Sequence, residues 1–112
     1  MGRTFILAVA LMTSAPALGH IVDEAGEAQS DYKMCVQGRA RHFDRAKADP
    51  ASVVAVAETA CRLEFLNLQR AADLQEEWSP AERVAFALAT VRLVRKLTIE
   101  RVKVLRTLSP SH

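Results

Sequence analysis

No Cys-x-x-Cys pair, glycine-rich phosphate loop or apolar run long enough to cross a bilayer occurs in this 112-residue chain. Each absence removes a class of function. Without paired thiols near a helix N-terminus there is no thioredoxin-like redox centre. The missing phosphate loop, haem-attachment motif and His-Glu-x-x-His metalloprotease motif leave no recognisable cofactor or hydrolase machinery. Aromatics are scarce, with one Trp, one Tyr and four Phe, and the net charge is only +2. A nucleic-acid binder needs stacking platforms or a concentrated basic field, so that partner is not expected. Glycine and proline number four each, and no stretch alternates with period two for long. Ala, Leu, Arg and Glu dominate instead, a composition that favours helix throughout.

The chain opens with Met1-Gly2-Arg3, an apolar run over residues 5–12, and then Ala15-Pro16-Ala17-Leu18-Gly19. A basic start, a short apolar run and a small-residue zone together read as a secretory signal over residues 1–19. The apolar run is far below the ~20 residues of a membrane span. Cleavage after Gly19 or after Ala17 leaves one small domain of the size that often uses a covalent staple. The expected organisation is a signal peptide at 1–19, an acidic segment at 20–29, a helical domain at 30–108 and a tail at 109–112. The expected location is periplasmic or secreted, in a bacterium. Cleavage after Gly19 would make His20 the new N-terminus, whose amine and imidazole suit Cu(II), and cleavage after Ala17 would give a third-position histidine. No second ligand group accompanies either, and neither copper nor any other cofactor is expected.

Two cysteines remain, Cys35 and Cys61, with their midpoint at Ala48, beside Asp49-Pro50. Asp before Pro is a favoured helix start. If the flanking segments are antiparallel helices, both sulfurs reach the same height on facing turns. An even cysteine count in an exported chain predicts a disulfide. A zinc site shared with His42 is excluded by distance, since seven residues rise ~10 Å along a helix and ligand bonds are near ~2 Å. The predicted fold is all-α: three helices built on a disulfide-stapled antiparallel hairpin. Helix 1 spans about 30–47, weakened by Gly38, and helix 2 runs from Asp49-Pro50 to about Glu77. Helix 3 opens on the Ser79-Pro80-Ala81-Glu82 capping box and reaches about Leu108.

Tyr32-x-x-Cys35 and Ala57-x-x-x-Cys61 resemble a pattern in small secreted bacterial helical proteins, over about a third of the chain. That resemblance implies no activity.

Two surfaces are candidates for partners. Folding about Ala48 leaves the far end of the helix 2–helix 3 hairpin, with Leu68, Leu74, Trp78 and Phe86, short of a third helix. Residues 20–29 cover it, or a protein partner or second copy does. The last helix is basic, with seven Lys or Arg over residues 83–106. Arg92, Arg95, Lys96, Lys103 and Arg106 beside a broad apolar arc fit an anionic membrane surface. The plainer expectation is a core helix whose arginines point outward or pair with the acidic start of the mature chain. Glu58 and Arg62, four apart, are expected to form a surface ion pair. The expected role is therefore non-enzymatic, structural or interactive, with membrane-surface binding or periplasmic stress chaperoning as alternatives.

Overall fold

A computed structural model describes residues 7–45 and 47–108, with side chains from Glu24 onward. Those residues form four helices: α1 (Leu7–Phe43), α2 (Pro50–Ala60), α3 (Arg62–Asp73) and α4 (Pro80–Leu108). The all-α expectation and the cross-link hold: Cys35 and Cys61 are bonded, with Cα atoms 6.0 Å apart. The three-helix hairpin does not. The architecture is a four-helix bundle in which the bond ties α1 to the joint between α2 and α3.

The predicted second helix breaks at Cys61, where φ is −101° and ψ is 28°. The Cys61 N–H donates to both Ala57 O and Glu58 O at 3.1 Å, and Phe65 N still donates to Cys61 O at 3.0 Å. The hydrogen-bond ladder is bent there rather than severed. No glycine or proline stands in Thr59-Ala60-Cys61-Arg62, so the bend has a tertiary cause. Cys61 is fully buried, and the bond to Cys35 holds it against α1.

A second correction concerns the start of the first helix. Instead of beginning near Ser30, α1 is helical through residues 20–29, and Ala25 and Ala28 are buried. Gln29 Nε2 donates to Thr90 Oγ1 at 2.8 Å, while Arg106 at the other end of α4 reaches Asp44 just beyond α1. Those two contacts make α1 and α4 parallel, with α2 and α3 running back between them. Residues 1–6, where the basic start of the expected signal falls, Ala46 and the expected tail (109–112) lie outside the described residues.

Local chemistry explains the ends. Asp49 is extended and caps α2 through its carbonyl, which accepts from Ser52 N at 2.9 Å. The capping box at α4 is complete. Ser79 N donates to Glu82 Oε1 at 2.7 Å, and Glu82 N donates to Ser79 Oγ at 3.1 Å. The core is made largely of small side chains: Val36, Ala40, Val53, Val54, Ala57, Ala71 and Ala87 around Tyr32 and Leu68. A thin core gives each buried residue little apolar area to remove from water, which raises the relative weight of the covalent bond. Closing a loop of 26 residues contributes about 3.5 kcal/mol on the chain-entropy account. Reduction, or paired Cys35→Ala and Cys61→Ala substitution, will lower the thermal midpoint by about 15–25 °C. Calorimetry with and without a thiol reductant measures it.

Candidate functional site

The fourth helix fully buries small side chains and packs Phe86, Val91 and Ile99, partly buried, against the core. Ala87, Thr90, Val94, Thr98 and Val102 are buried. All five of its leucines, Leu88, Leu93, Leu97, Leu105 and Leu108, are exposed. The inner threonines avoid a desolvation penalty by donating back to their own helix. Thr90 Oγ1 donates to Phe86 O at 2.9 Å and Thr98 Oγ1 to Val94 O at 2.6 Å. Outside, Leu93 (57% exposed), Leu97 (41%), Val104 (54%) and Leu108 (72%) follow one another at helical spacing. Leu93 and Leu97 also line a shallow groove of about 290 Å³ between α4 and α1, opposite Gly26, Ser30 and Lys33.

The basic residues of α4 divide into braces and free cations. Arg83 clamps the α3–α4 turn, donating through Nε and Nη2 to Gln75 O at 3.1 and 2.9 Å. Arg95 grips Glu58 with two bonds, at 2.8 and 3.3 Å. Arg106 bonds Asp44 and also donates to Ala48 O and Arg45 O, both at 2.8 Å. Its partners are not the acidic start of the chain. Arg95 and Arg106, two of the five residues expected to face a membrane, are therefore committed to internal contacts. Lys103 meets Glu100 at 3.4 Å in an exposed pair. Arg92, Lys96 and Arg101 have no partner among the described residues.

The expected Glu58–Arg62 pair is replaced by Glu58–Arg95. The bend at Cys61 falls between Glu58 and Arg62, so the regular i,i+4 geometry is lost, and α4 brings Arg95 to the carboxylate instead. The Arg106 cluster is the more consequential brace, because both side chains of its ion pair are mostly shielded. Arg106→Ala will cost about 2 kcal/mol, whereas Arg92→Ala will stay within about 0.5 kcal/mol. Urea unfolding of the two variants distinguishes them.

A second feature is the cleft bounded by Tyr32, Glu58, Arg62, Phe65, Val91 and Arg95, about 450 Å³ in volume. Tyr32 is buried and packs on Phe65, with ring centroids 6.3 Å apart. Its phenol is pushed up from the usual value by burial first and by the Glu58 carboxylate second, against a smaller opposing effect of Arg95. At neutral pH the group is a neutral donor, and Glu58 is held by Arg95. A phenol with a raised pKa is a poor base or nucleophile at neutral pH. The sign of the linkage is definite. Folding favours the protonated phenol, so its stabilisation is complete below the unfolded value near ~10 and is lost as pH rises through the folded value. Tyr32 is the only tyrosine. Ultraviolet difference titration will show it ionising at higher pH in the folded chain than in denaturant.

The far-end surface is rearranged relative to expectation. Leu68 is fully buried and belongs to the core, Leu74 is exposed, and Trp78 and Phe86 are half-buried. Trp78 and Phe86 cover each other, with ring centroids 5.0 Å apart. His42 sits edge-on to Phe43 at 5.3 Å, exposed. Among the described residues, Cys35, Cys61 and Glu64 bring potential ligand atoms within 4.8 Å of one another. Two of those atoms are the bonded sulfurs, and the thiolate, not the disulfide, is the metal ligand. No described helix is long and apolar enough to cross a membrane.

Fold and surface together define a small all-α domain, braced by a disulfide, that presents leucines on the outer side of α4. Comparison of the chain with protein families, curated proteins and solved structures returns no match.

Proposed function

We propose that this chain is a non-enzymatic, exported helical protein that acts by contact through the outer face of α4. The observation that carries the proposal is the inversion of that helix, with threonines inward and leucines outward. A contiguous apolar surface costs free energy in water and marks an interaction site. It is well separated from the cross-link that stabilises the bundle, so residues can be exchanged there without dismantling the fold. Export is supported by the signal-like start and by the closed disulfide, a bond that persists in oxidising compartments.

A photo-crosslinking side chain placed at Leu97 in the living cell tests the contact, with exposed Ala51 on α2 as the control. Position 97 will give a discrete adduct in the envelope fraction and position 51 will not. Intact mass of the recovered protein will begin at His20 or Leu18 and lack both thiol hydrogens. An uncleaved, reduced chain in the cytosol with no adduct at 97 overturns the proposal.

A further inference from the structure

All four helices contribute to the cleft at Tyr32. Tyr32 comes from α1, Glu58 and Thr59 from α2, Arg62 and Phe65 from α3, and Val91 and Arg95 from α4. Its volume of about 450 Å³ falls within the roughly 300–1,000 Å³ of small-molecule sites. Tyr32 forms the buried floor, with 2% of its surface exposed. Its hydroxyl has no hydrogen-bond partner among the described residues, although buried polar groups nearly always have one.

The polar groups around that phenol are engaged unequally. Both Glu58 oxygens accept from Arg95, Oε2 from Nε at 2.8 Å and Oε1 from Nη2 at 3.3 Å. Thr59 Oγ1 donates to Ala55 O at 3.2 Å. What is left unspent donates: the Tyr32 hydroxyl, Nη1 of Arg95, and the whole guanidinium of Arg62, which has no partner among the described residues. The bend at Cys61 leaves Arg62 free, because it takes Glu58 out of regular i,i+4 reach while α4 brings Arg95 to that carboxylate. With Glu58 neutralised by Arg95, one uncompensated positive charge remains in the cleft, at its exposed rim. Phe65 and Val91, both half-buried, supply apolar wall beside it. A cation finds no free carboxylate among these groups, whereas an anion finds donors and one unmatched charge.

We propose that this cleft binds a small monocarboxylate with an apolar body. Arg62, Arg95 Nη1 and the Tyr32 hydroxyl are the donors to its carboxylate, and Phe65 and Val91 pack against its body. Bonds from a guanidinium to a carboxylate are charge-assisted and stronger than neutral ones. The phenol is suited to its part because it stays protonated at neutral pH and has a hydrogen to give. An inorganic anion would leave the apolar wall in water, and an uncharged analogue would leave Arg62 unmatched. The cleft is separate from the contact face of α4, since Leu97 stands two residues, or about 200° around the helix, from Arg95.

An NMR titration of the oxidised protein with phenylbutyrate, continued to about 10 mM, is the test. Binding will saturate with a Kd of about 0.1–1 mM and will shift the amides of Arg62 and Phe65. Phenylbutyramide, which keeps the body without the charge, and acetate, which keeps the charge without the body, will each bind at least about tenfold more weakly. Arg62→Gln will weaken phenylbutyrate by about tenfold or more, and Tyr32→Phe by about fivefold. Tyr32→Phe will not lower the thermal midpoint of the free protein, because the hydroxyl it removes has no partner there; a purely structural phenol predicts the opposite pair of results. Leu97→Asp will leave binding unchanged, which separates the cleft from the contact face. Absence of saturation, equal binding of phenylbutyramide, or wild-type affinity in Arg62→Gln overturns the proposal. A lowered midpoint with unchanged affinity in Tyr32→Phe overturns it as well.

Discussion

The bond between Cys35 and Cys61 is the constraint on which the bundle depends. The largest fully buried side chains are Leu68, Val36, Val54, Thr98 and Cys61, a modest set against the conformational entropy lost on folding. A core of this kind cannot be strong through apolar burial alone. The cross-link acts on the unfolded chain, where it removes conformations, and so supplements a core that has little area to offer. Its placement matters as much as its existence. Cys61 is the C-cap of α2 and the N-cap of α3, so one bond fixes both helices to α1.

No covalent link reaches α4, which is held by a different set of interactions. Arginines grip it near its start, middle and end, through the Gln75 carbonyl, the Glu58 carboxylate and the Asp44 cluster. Bonds from charged donors are directional and stronger than neutral ones, and they fix the rotation of α4 as well as its position. Between them the inner face buries alanine, valine and threonine, with Phe86 and Ile99 partly buried beside them. That rotation sends the leucines outward, so the placement of the braces and the character of the free surface are one fact.

Much of this was legible in the residues. The symmetry of the cysteines about Ala48 identified the bond, because the pairing of facing helices is set by register, but not the four-helix bundle around it. Ser79 and Glu82 announced the α4 capping box, because capping is local chemistry. Three features were not legible, each for a physical reason. The bend at Cys61 comes from tertiary contact and leaves no breaker residue in the sequence. Residues 20–29 were read as an acidic segment outside the first helix, yet they are part of α1, and Ala25 and Ala28 supply the narrow apolar face that docks them. The orientation of α4 is the most instructive. Its apolar residues cover a wide arc, and periodicity alone does not say which part of a wide arc is buried. Leu68 was misplaced for the related reason that helix 2 was expected to run unbent beyond a shorter helix 1.

The choice of buried face on α4 follows from the bond at the other side of the bundle. Interaxial distance between packed helices is set by the side chains at the contact, and a Cα separation of 6.0 Å at the cross-link holds α1 close to the α2–α3 joint. The shared core is rich in small groups, among them Ala28, Ala40, Ala57 and Ala71, beside Tyr32 and Leu68. Against that core α4 sets Phe86, Val91 and Ile99 only part-way in and buries its small residues fully. Alanine, threonine and valine fit, so the larger arc is left in solvent. The covalent brace that makes so small a core stable thereby selects the surface that the protein presents, and stability and interaction have a common origin in the spacing of α1 from its neighbours.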